Sequence, residues 1–105
     1  MMYMPDAIRA TLALMDAPSE AVRERQSYNL AGISFTPTDI AAAITRQVPG
    51  FRLECKPDFR QAIADSWPRS IDDSAARRDW GWRAQFDLDA MVRDMLQHLR
   101  ALAAA

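Results

Sequence analysis

The chain has 105 residues, half of them apolar, and a formal net charge of -1 from 13 basic and 14 acidic side chains. This length fits one domain of ordinary size, and the apolar share is too high for a disordered chain. Neither half is strongly basic, so we expect no nucleic-acid surface, and the apolar runs are far too short to predict a membrane span.

Rare residue types exclude several kinds of chemistry. The single cysteine, Cys55, allows no internal disulfide, and with no secretory leader it predicts a cytoplasmic protein. The three glycines are too widely spaced for a dinucleotide- or phosphate-binding loop. The single histidine, His98, lies far from Cys55 in sequence, so no metal site is predicted. We expect Cys55 to be a packed, inert thiol and His98 to be a solvated surface residue.

The first predicted helix begins at Pro5 and Asp6, since proline suits the first turn and an acidic side chain suits its positive end. Residues 1–4 before it could end a strand, and residues 17–18 close the helix. Its apolar face has helical spacing, with Ile8, Leu12, Leu14 and Met15 as members.

A short strand is predicted over residues 27–30, followed by a well-marked second helix. Thr36 is its expected N-cap, with Pro37 at the first helical position and Asp39 at the third. Residues 49–50, Pro-Gly, end it. Its apolar positions are three or four residues apart, at Ile40, Ala43, Ile44 and Val48.

The next stretch alternates apolar and charged side chains, which is typical of a half-buried strand. Its apolar members are Phe51, Leu53 and Cys55, and its charged members are Arg52, Glu54 and Lys56. Residues 57–71 contain two prolines and no clear period, so we expect a loop, with a short extended piece near residues 63–66.

Two further helices complete the pattern. Asp72 or Asp73 is expected to cap a helix over residues 74–80, which Gly81 ends. Asp87 caps the last helix, and an apolar stripe follows it: Leu88, Met91, Val92, Met95, Leu96, Leu99 and Leu102. The order helix, strand, helix, strand, loop, helix, helix predicts a small mixed α/β fold in one domain, residues 1–105.

Tryptophan is concentrated between residues 60 and 82. We expect Trp80 and Trp82, separated only by Gly81, to pack as structural anchors. Trp67 precedes Pro68 in a loop with polar neighbours, which suits a pocket wall as well as it suits packing.

Three segments resemble the C-terminal part of the short-chain-type NAD-dependent L-threonine 3-dehydrogenases, within the epimerase/dehydratase superfamily. They are MMYMPDAIRATLALMDAP, YNLAGISFTPTDIAAAI and RQAIADSWPRSIDDSAARRDWGW. The D-x-S and W-G-W patterns are shared by the wider superfamily, and ADSWP is similar to threonine dehydrogenases in particular. The resemblance covers residues 1 to about 99.

The resemblance implies a substrate-binding lobe that normally completes an N-terminal Rossmann domain. That domain binds NAD in the complete enzyme and carries the catalytic Tyr-x-x-x-Lys pair. Here the residues four after Tyr3 and Tyr28 are Ala7 and Gly32. We therefore expect no catalytic residue, no cofactor site and no metal site in this chain alone. Since Met1 matches an internal position, a truncated gene, a partial gene model or an excised fragment is the expected origin, ahead of a true stand-alone lobe.

The implied substrate-binding residues lie in one loop. By position, Trp67 would close on L-threonine, with Ser66 and Asp65 beside it. Arg60 matches an arginine that binds substrate phosphate in epimerases, and with threonine as substrate it could instead hold the loop through Asp65 or Asp58. Asp6 is expected to orient backbone at the domain junction.

Two other functions stay open. The chain could be the lobe of a nucleotide-sugar epimerase or reductase, which a bulky Trp67 beside the substrate disfavours. It could also be a stand-alone, non-catalytic interaction module. Because the lobe normally rests on a larger sheet, we expect the isolated chain to expose apolar surface and to self-associate.

Overall fold

The computed structural model describes all 105 residues, which form five helices joined by turns and extended segments, without a β-strand. The helices are α1 (Met4–Asp16), α2 (Pro37–Gln47), α3 (Arg60–Asp65), α4 (Ser74–Trp80) and α5 (Leu88–Ala104). Four of them agree with the helices expected from the sequence, and α3 does not.

Helix α1 has two different faces. Asp6 and Ala10 are buried inside the molecule. Three of the apolar side chains that were expected to form its packing face, Ile8, Leu12 and Met15, are instead more than half exposed, and so is Met4. The helix therefore packs through a small residue and a carboxylate and leaves its apolar stripe open.

Helices α2 and α5 pack against each other and begin as predicted. At α2 the Thr36 hydroxyl accepts from the Asp39 N–H at 3.2 Å, and the Asp39 carboxylate accepts from the Thr36 N–H at 2.8 Å. This reciprocal capping box satisfies two N–H groups that the first turn leaves free. At α5 the Asp87 carboxylate accepts from the Ala90 N–H at 2.8 Å. The apolar side chains of Met91 and Val92 are buried.

The core lies where α1 and α4 meet. Trp82 is only 1% exposed and packs with Ala10 and Ala76. Trp80 covers this cluster and meets the Tyr28 ring edge-to-face, with centroids 5.7 Å apart. Gly81 has φ of 72°, the left-handed conformation that ends a helix. Both tryptophans of the Trp-Gly-Trp sequence thus act as packing anchors, which confirms that prediction.

The two predicted strands are not formed, so the mixed α/β class is not confirmed. Residues 27–30 and 51–56 run without regular structure, and every residue from 51 to 56 is exposed. A strand exists only through backbone pairing with a neighbour, and no other segment of the chain makes a backbone hydrogen bond to residues 52–56. A propensity pattern can predict the extended backbone but not the presence of its partner.

Two local predictions between residues 51 and 71 are wrong. Cys55 is exposed rather than packed, because the apolar face of its segment is uncovered. Residues 60–65, expected in a loop, form the short helix α3. Asp58 lies two residues before its first residue, and the Asp58 carboxylate accepts from the Arg60 N–H at 2.9 Å.

The molecule is flat and open for its length. Its Cα radius of gyration is 17.1 Å and its extents are 51 × 39 × 20 Å, whereas about 13 Å is usual for a compact domain of this size. Only nine of the 105 residues are buried. None of the five helices combines the length and the apolar character that a membrane span requires.

Candidate functional site

An open cleft lies between two parts of the chain. One part is the segment before α2 together with the first turn of that helix, and the other is α3 with the loop that follows it. The volume of the cleft is about 930 Å³. One wall is made by residues 31–37 with Asp39, and the other by Gln61, Ala64, Asp65 and residues 67–71. Two segments that are distant in sequence thus meet around one solvent-filled space.

Trp67 stands on the α3 side of the cleft. It is 68% exposed, and its backbone N–H donates to the Ala64 carbonyl at 3.1 Å. Pro68 follows and restricts the backbone there. A large aromatic ring on a fixed loop, facing an open space, provides apolar area that is not used inside this chain.

Asp65 lies in the same wall, and its carboxylate accepts from the Gln61 side-chain amide at 2.8 Å. Ser66 is next to it but does not line the cleft. The Ser66 hydroxyl donates to the Ile63 carbonyl at 2.6 Å, which helps to close the last turn of α3. The structure therefore brings Asp65 and Trp67 to the cleft and uses Ser66 locally.

Arg60 also lies outside the cleft. Its guanidinium donates to both Asp58 carboxylate oxygens, with Nε 3.0 Å from each. The hydrogen bonds from Arg60 hold the pKa of Asp58 below its usual range. Of the two roles considered for Arg60, the geometry in this chain is that of a brace between Asp58 and α3.

The opposite wall is tied to the tryptophan core. The Ala31 N–H donates to the Asp73 carboxylate at 3.3 Å, and the Trp82 indole N–H donates to the Ala31 carbonyl at 3.4 Å. Asp73 is itself paired with Arg77 at 2.7 Å. The dense sequence from 60 to 82 therefore contributes to both walls, one through Trp67 and the other through Trp82.

Sequence reasoning missed several cleft residues, among them Ser34, Gln61 and Arg69. Arg69 makes no ion pair within the chain, in contrast to Arg60. The only sequence signal for Arg69 was its position directly after Trp67-Pro68. Ser34 carried none, because its role depends on the approach of a distant segment.

The glycine that lines the cleft has a packing role. Gly32 is the one glycine in the cleft, and a Cβ there would lie 2.4 Å from the Met1 carbonyl oxygen. Its small size thus permits a backbone crossing within the chain and does not provide a phosphate cradle. No group of three histidine, cysteine or acidic side chains is arranged to hold a metal ion.

The sequence and the fold were both compared with known proteins, and both are similar to L-threonine dehydrogenases. The L-threonine 3-dehydrogenase of Sus scrofa mitochondria is 50% identical over 97 residues, which are 91% of this chain and 26% of that protein. The solved L-threonine dehydrogenase of Cupriavidus necator is 66% identical, with a TM-score of 0.89 over 94% of this chain and 36% of that one. The chain is homologous to the C-terminal part of L-threonine 3-dehydrogenases.

The same region also matches proteins that carry the wider family's description. An uncharacterised epimerase/dehydratase of Staphylococcus haemolyticus is 48% identical over 98 residues, covering 92% of this chain and 31% of that protein. No family model matches the chain. The chain spans between 26% and 36% of the length of these relatives.

Proposed function

We propose that this chain is the substrate-side lobe of an NAD-dependent L-threonine 3-dehydrogenase and is inactive by itself. In the complete enzyme, L-threonine is oxidised to 2-amino-3-oxobutanoate as a hydride passes from its β-carbon to NAD. The N-terminal Rossmann part supplies the cofactor site and the catalytic tyrosine and lysine. This lobe supplies a wall that closes over the substrate.

The observation that carries the proposal is Trp67 at the cleft of a chain so similar to threonine dehydrogenases. The ring is 68% exposed and lines an open space, although burial of such a ring would be favourable. Threonine is small, so a bulky ring can exclude water from its reacting carbon without crowding it. Asp65 in the same wall is a carboxylate that suits the substrate's ammonium group.

Ser66 and Arg60 take supporting roles in this proposal. Ser66 closes α3, and Arg60 braces α3 on Asp58. Both act on the position of Trp67 rather than on the substrate itself. We also propose a cytoplasmic location, which rests on the single thiol.

The test is a chimera that joins the N-terminal part of the Cupriavidus necator enzyme, up to its matched region, to Met1 of this chain. NADH formation at saturating threonine is measured for the chimera and for the 105-residue chain. The chimera should turn over and the isolated chain should not, because hydride transfer requires a bound cofactor and a tyrosine base. Turnover by the isolated chain would refute the proposal.

Within the chimera, Trp67→Ala should raise the KM for threonine or lower kcat/KM while leaving the Tm nearly unchanged. A contact made equally in the ground and transition states shows mainly in KM. Trp82→Ala is the control, and as a buried anchor its loss should cost ~3–5 kcal/mol of stability. Unaltered kinetics in Trp67→Ala, or unfolding as severe as in Trp82→Ala, would make Trp67 a packing residue.

The epimerase/dehydratase relatives favour a second candidate, the lobe of a nucleotide-sugar epimerase or reductase. The same chimera distinguishes the two. Turnover of a nucleotide sugar with none of threonine would support this second function.

A further inference from the structure

Residues 51–57 have no backbone partner within the chain. The N–H of Phe51 donates to the Val48 carbonyl, but no backbone N–H or C=O group of residues 52–57 takes part in any hydrogen bond. Backbone polar groups in folded proteins are almost always paired. The backbone polar groups of these six consecutive residues can therefore be paired only with solvent or with another chain segment.

Apolar and charged side chains alternate along this segment, as they do between the two faces of a strand. Glu54 and Lys56 form an ion pair at 3.3 Å, so these charged residues lie on the same side of the extended backbone. The alternate residues are apolar, and Phe51 and Leu53 are 38% and 45% exposed. A segment with one apolar face, one charged face and unpaired backbone has the properties of an open sheet edge.

We propose that residues 51–57 are a β-edge that pairs with an extended strand in the N-terminal part of the complete enzyme. The inference rests on the proposed function, because it takes that part as the partner. The relatives carry about two to three times as much further chain as the portion matched here. A second copy is a weaker occupant, since a two-stranded ribbon on its own is only marginally stable in water.

Pairing at this edge would also fix the position of the substrate wall. Residues 51–57 lead directly into Asp58, which holds Arg60 and the first turn of α3. Trp67 follows the last turn of the same helix. A partner strand on residues 51–57 would therefore anchor the segment that carries Trp67 through one short, braced connection.

Cys55 provides a native probe, because it is the only cysteine in the chain and is exposed at the centre of the edge. Its alkylation by iodoacetamide is followed by mass spectrometry of the peptide that contains it. We expect alkylation to be at least about tenfold slower in the chimera than in the 105-residue chain, since paired strands open rarely. Equal rates in the two proteins would overturn the proposal.

Proline variants separate backbone pairing from side-chain cover. Consecutive N–H groups point to opposite sides of a strand, so one of Leu53→Pro and Glu54→Pro must remove a pairing N–H. That variant should restore fast alkylation in the chimera, whereas Leu53→Ala and Glu54→Ala should retain most of the protection. Protection that survives both prolines would overturn the pairing.

The intact Cupriavidus necator enzyme gives a second measurement that does not depend on folding of the chimera. Amide hydrogen exchange in its segment matching residues 51–57 should be slow. Fast exchange there would contradict the proposal. Alkylation of the 105-residue chain that slows as its concentration rises would assign the edge to a second copy and overturn the proposed occupant.

Threonine oxidation by the chimera, measured beside Cys55 alkylation, distinguishes failure of this inference from failure of the proposed function. A chimera with protected Cys55 that does not oxidise threonine would refute the function and leave the pairing intact. A chimera that oxidises threonine with Cys55 fully reactive would refute the pairing and leave the function intact.

Discussion

Asp6 is the residue on which the connection between α1 and α5 depends. Its side chain is 2% exposed. Its carboxylate accepts from the N–H groups of Gln85 and Phe86 at 3.1 Å each, and from Arg9 at 2.9 Å. An acidic residue in the first turn was expected from helix electrostatics. Within this chain its carboxylate orients the backbone that leads to α5, and its expected role at the domain junction stays a prediction.

Replacement of Asp6 by alanine should destabilise the chain. The change leaves two backbone donors and a guanidinium without their acceptor, which costs about 2–3 kcal/mol. The measurement is urea unfolding of the 105-residue chain, followed by tryptophan fluorescence. Asp16→Ala, at an exposed position on the same helix, should change stability by less than about 0.5 kcal/mol. Equal effects of the two variants would contradict this role.

The same carboxylate should make stability depend on pH. Desolvation would raise the pKa of Asp6, but hydrogen bonds from Arg9 and from the Gln85 and Phe86 backbone outweigh it, so the pKa lies below its usual range. Its contribution is complete above the unfolded pKa of about 4 and is lost as pH falls through the folded pKa. The stability difference between wild type and Asp6→Ala should therefore shrink on acidification, and a constant difference down to low pH would exclude this linkage.

At the scale of elements, the end of α4 sets the direction of the Trp82 ring. The Gly81 N–H donates to the Arg77 carbonyl at 3.1 Å, and the Trp82 N–H donates to the Ala76 carbonyl at 3.3 Å. These bonds reverse the chain directly after the helix, so that both tryptophans lie against the same cluster. The turn depends on the positive φ of Gly81.

Gly81→Ala should therefore cost about 1–2 kcal/mol, because a Cβ disfavours the left-handed conformation. No atom lies within 4 Å of the added Cβ, so the loss would come from backbone strain alone. Gly81→Asn is the matched variant, since asparagine tolerates this conformation better. Thermal unfolding of the three proteins should rank glycine first, asparagine second and alanine last, and an alanine variant as stable as wild type would contradict the strain.

At the scale of the whole molecule, the open shape leaves much apolar surface without a partner. Its large exposed side chains include the α1 stripe of Met4, Ile8, Leu12 and Met15 and the end of α5 with Met95, Leu99 and Leu102. Contiguous patches larger than a few hundred Å² are unusual on monomeric proteins and mark interaction sites. This exposure agrees with the match of the chain to only part of longer relatives.

The isolated chain should consequently bind apolar dyes and self-associate, as measured by sedimentation at increasing concentration. Substituting Ile8→Lys together with Leu12→Lys should reduce both effects. The control is Ala42→Lys with Gln47→Lys, which adds equal charge at exposed positions of α2. A clean monomer with a sharp two-state transition would contradict the expectation and favour a stand-alone module.

Local chemistry in the sequence was sufficient to predict much of the helical structure. Thr36, Gly81 and Asp87 gave the ends of three helices, because caps and left-handed glycines act within a few residues of themselves. The resemblance of residues 60–82 likewise indicated the family, since that density of tryptophan and charge is specific. The place of Trp67 beside Pro68 among polar neighbours suited a pocket wall and packing equally, and the structure puts its ring at the cleft.

The burial of each apolar face was decided only by the tertiary structure. Periodicity predicted that Ile8, Leu12 and Met15 share a helix face and that Phe51, Leu53 and Cys55 share a strand face. It could not show that both faces are open, because burial and strand pairing depend on a second surface whose position local sequence does not encode. The cleft arises in the same way, since Ser34 and Arg69 line one space only because segments distant in sequence come together in the folded chain.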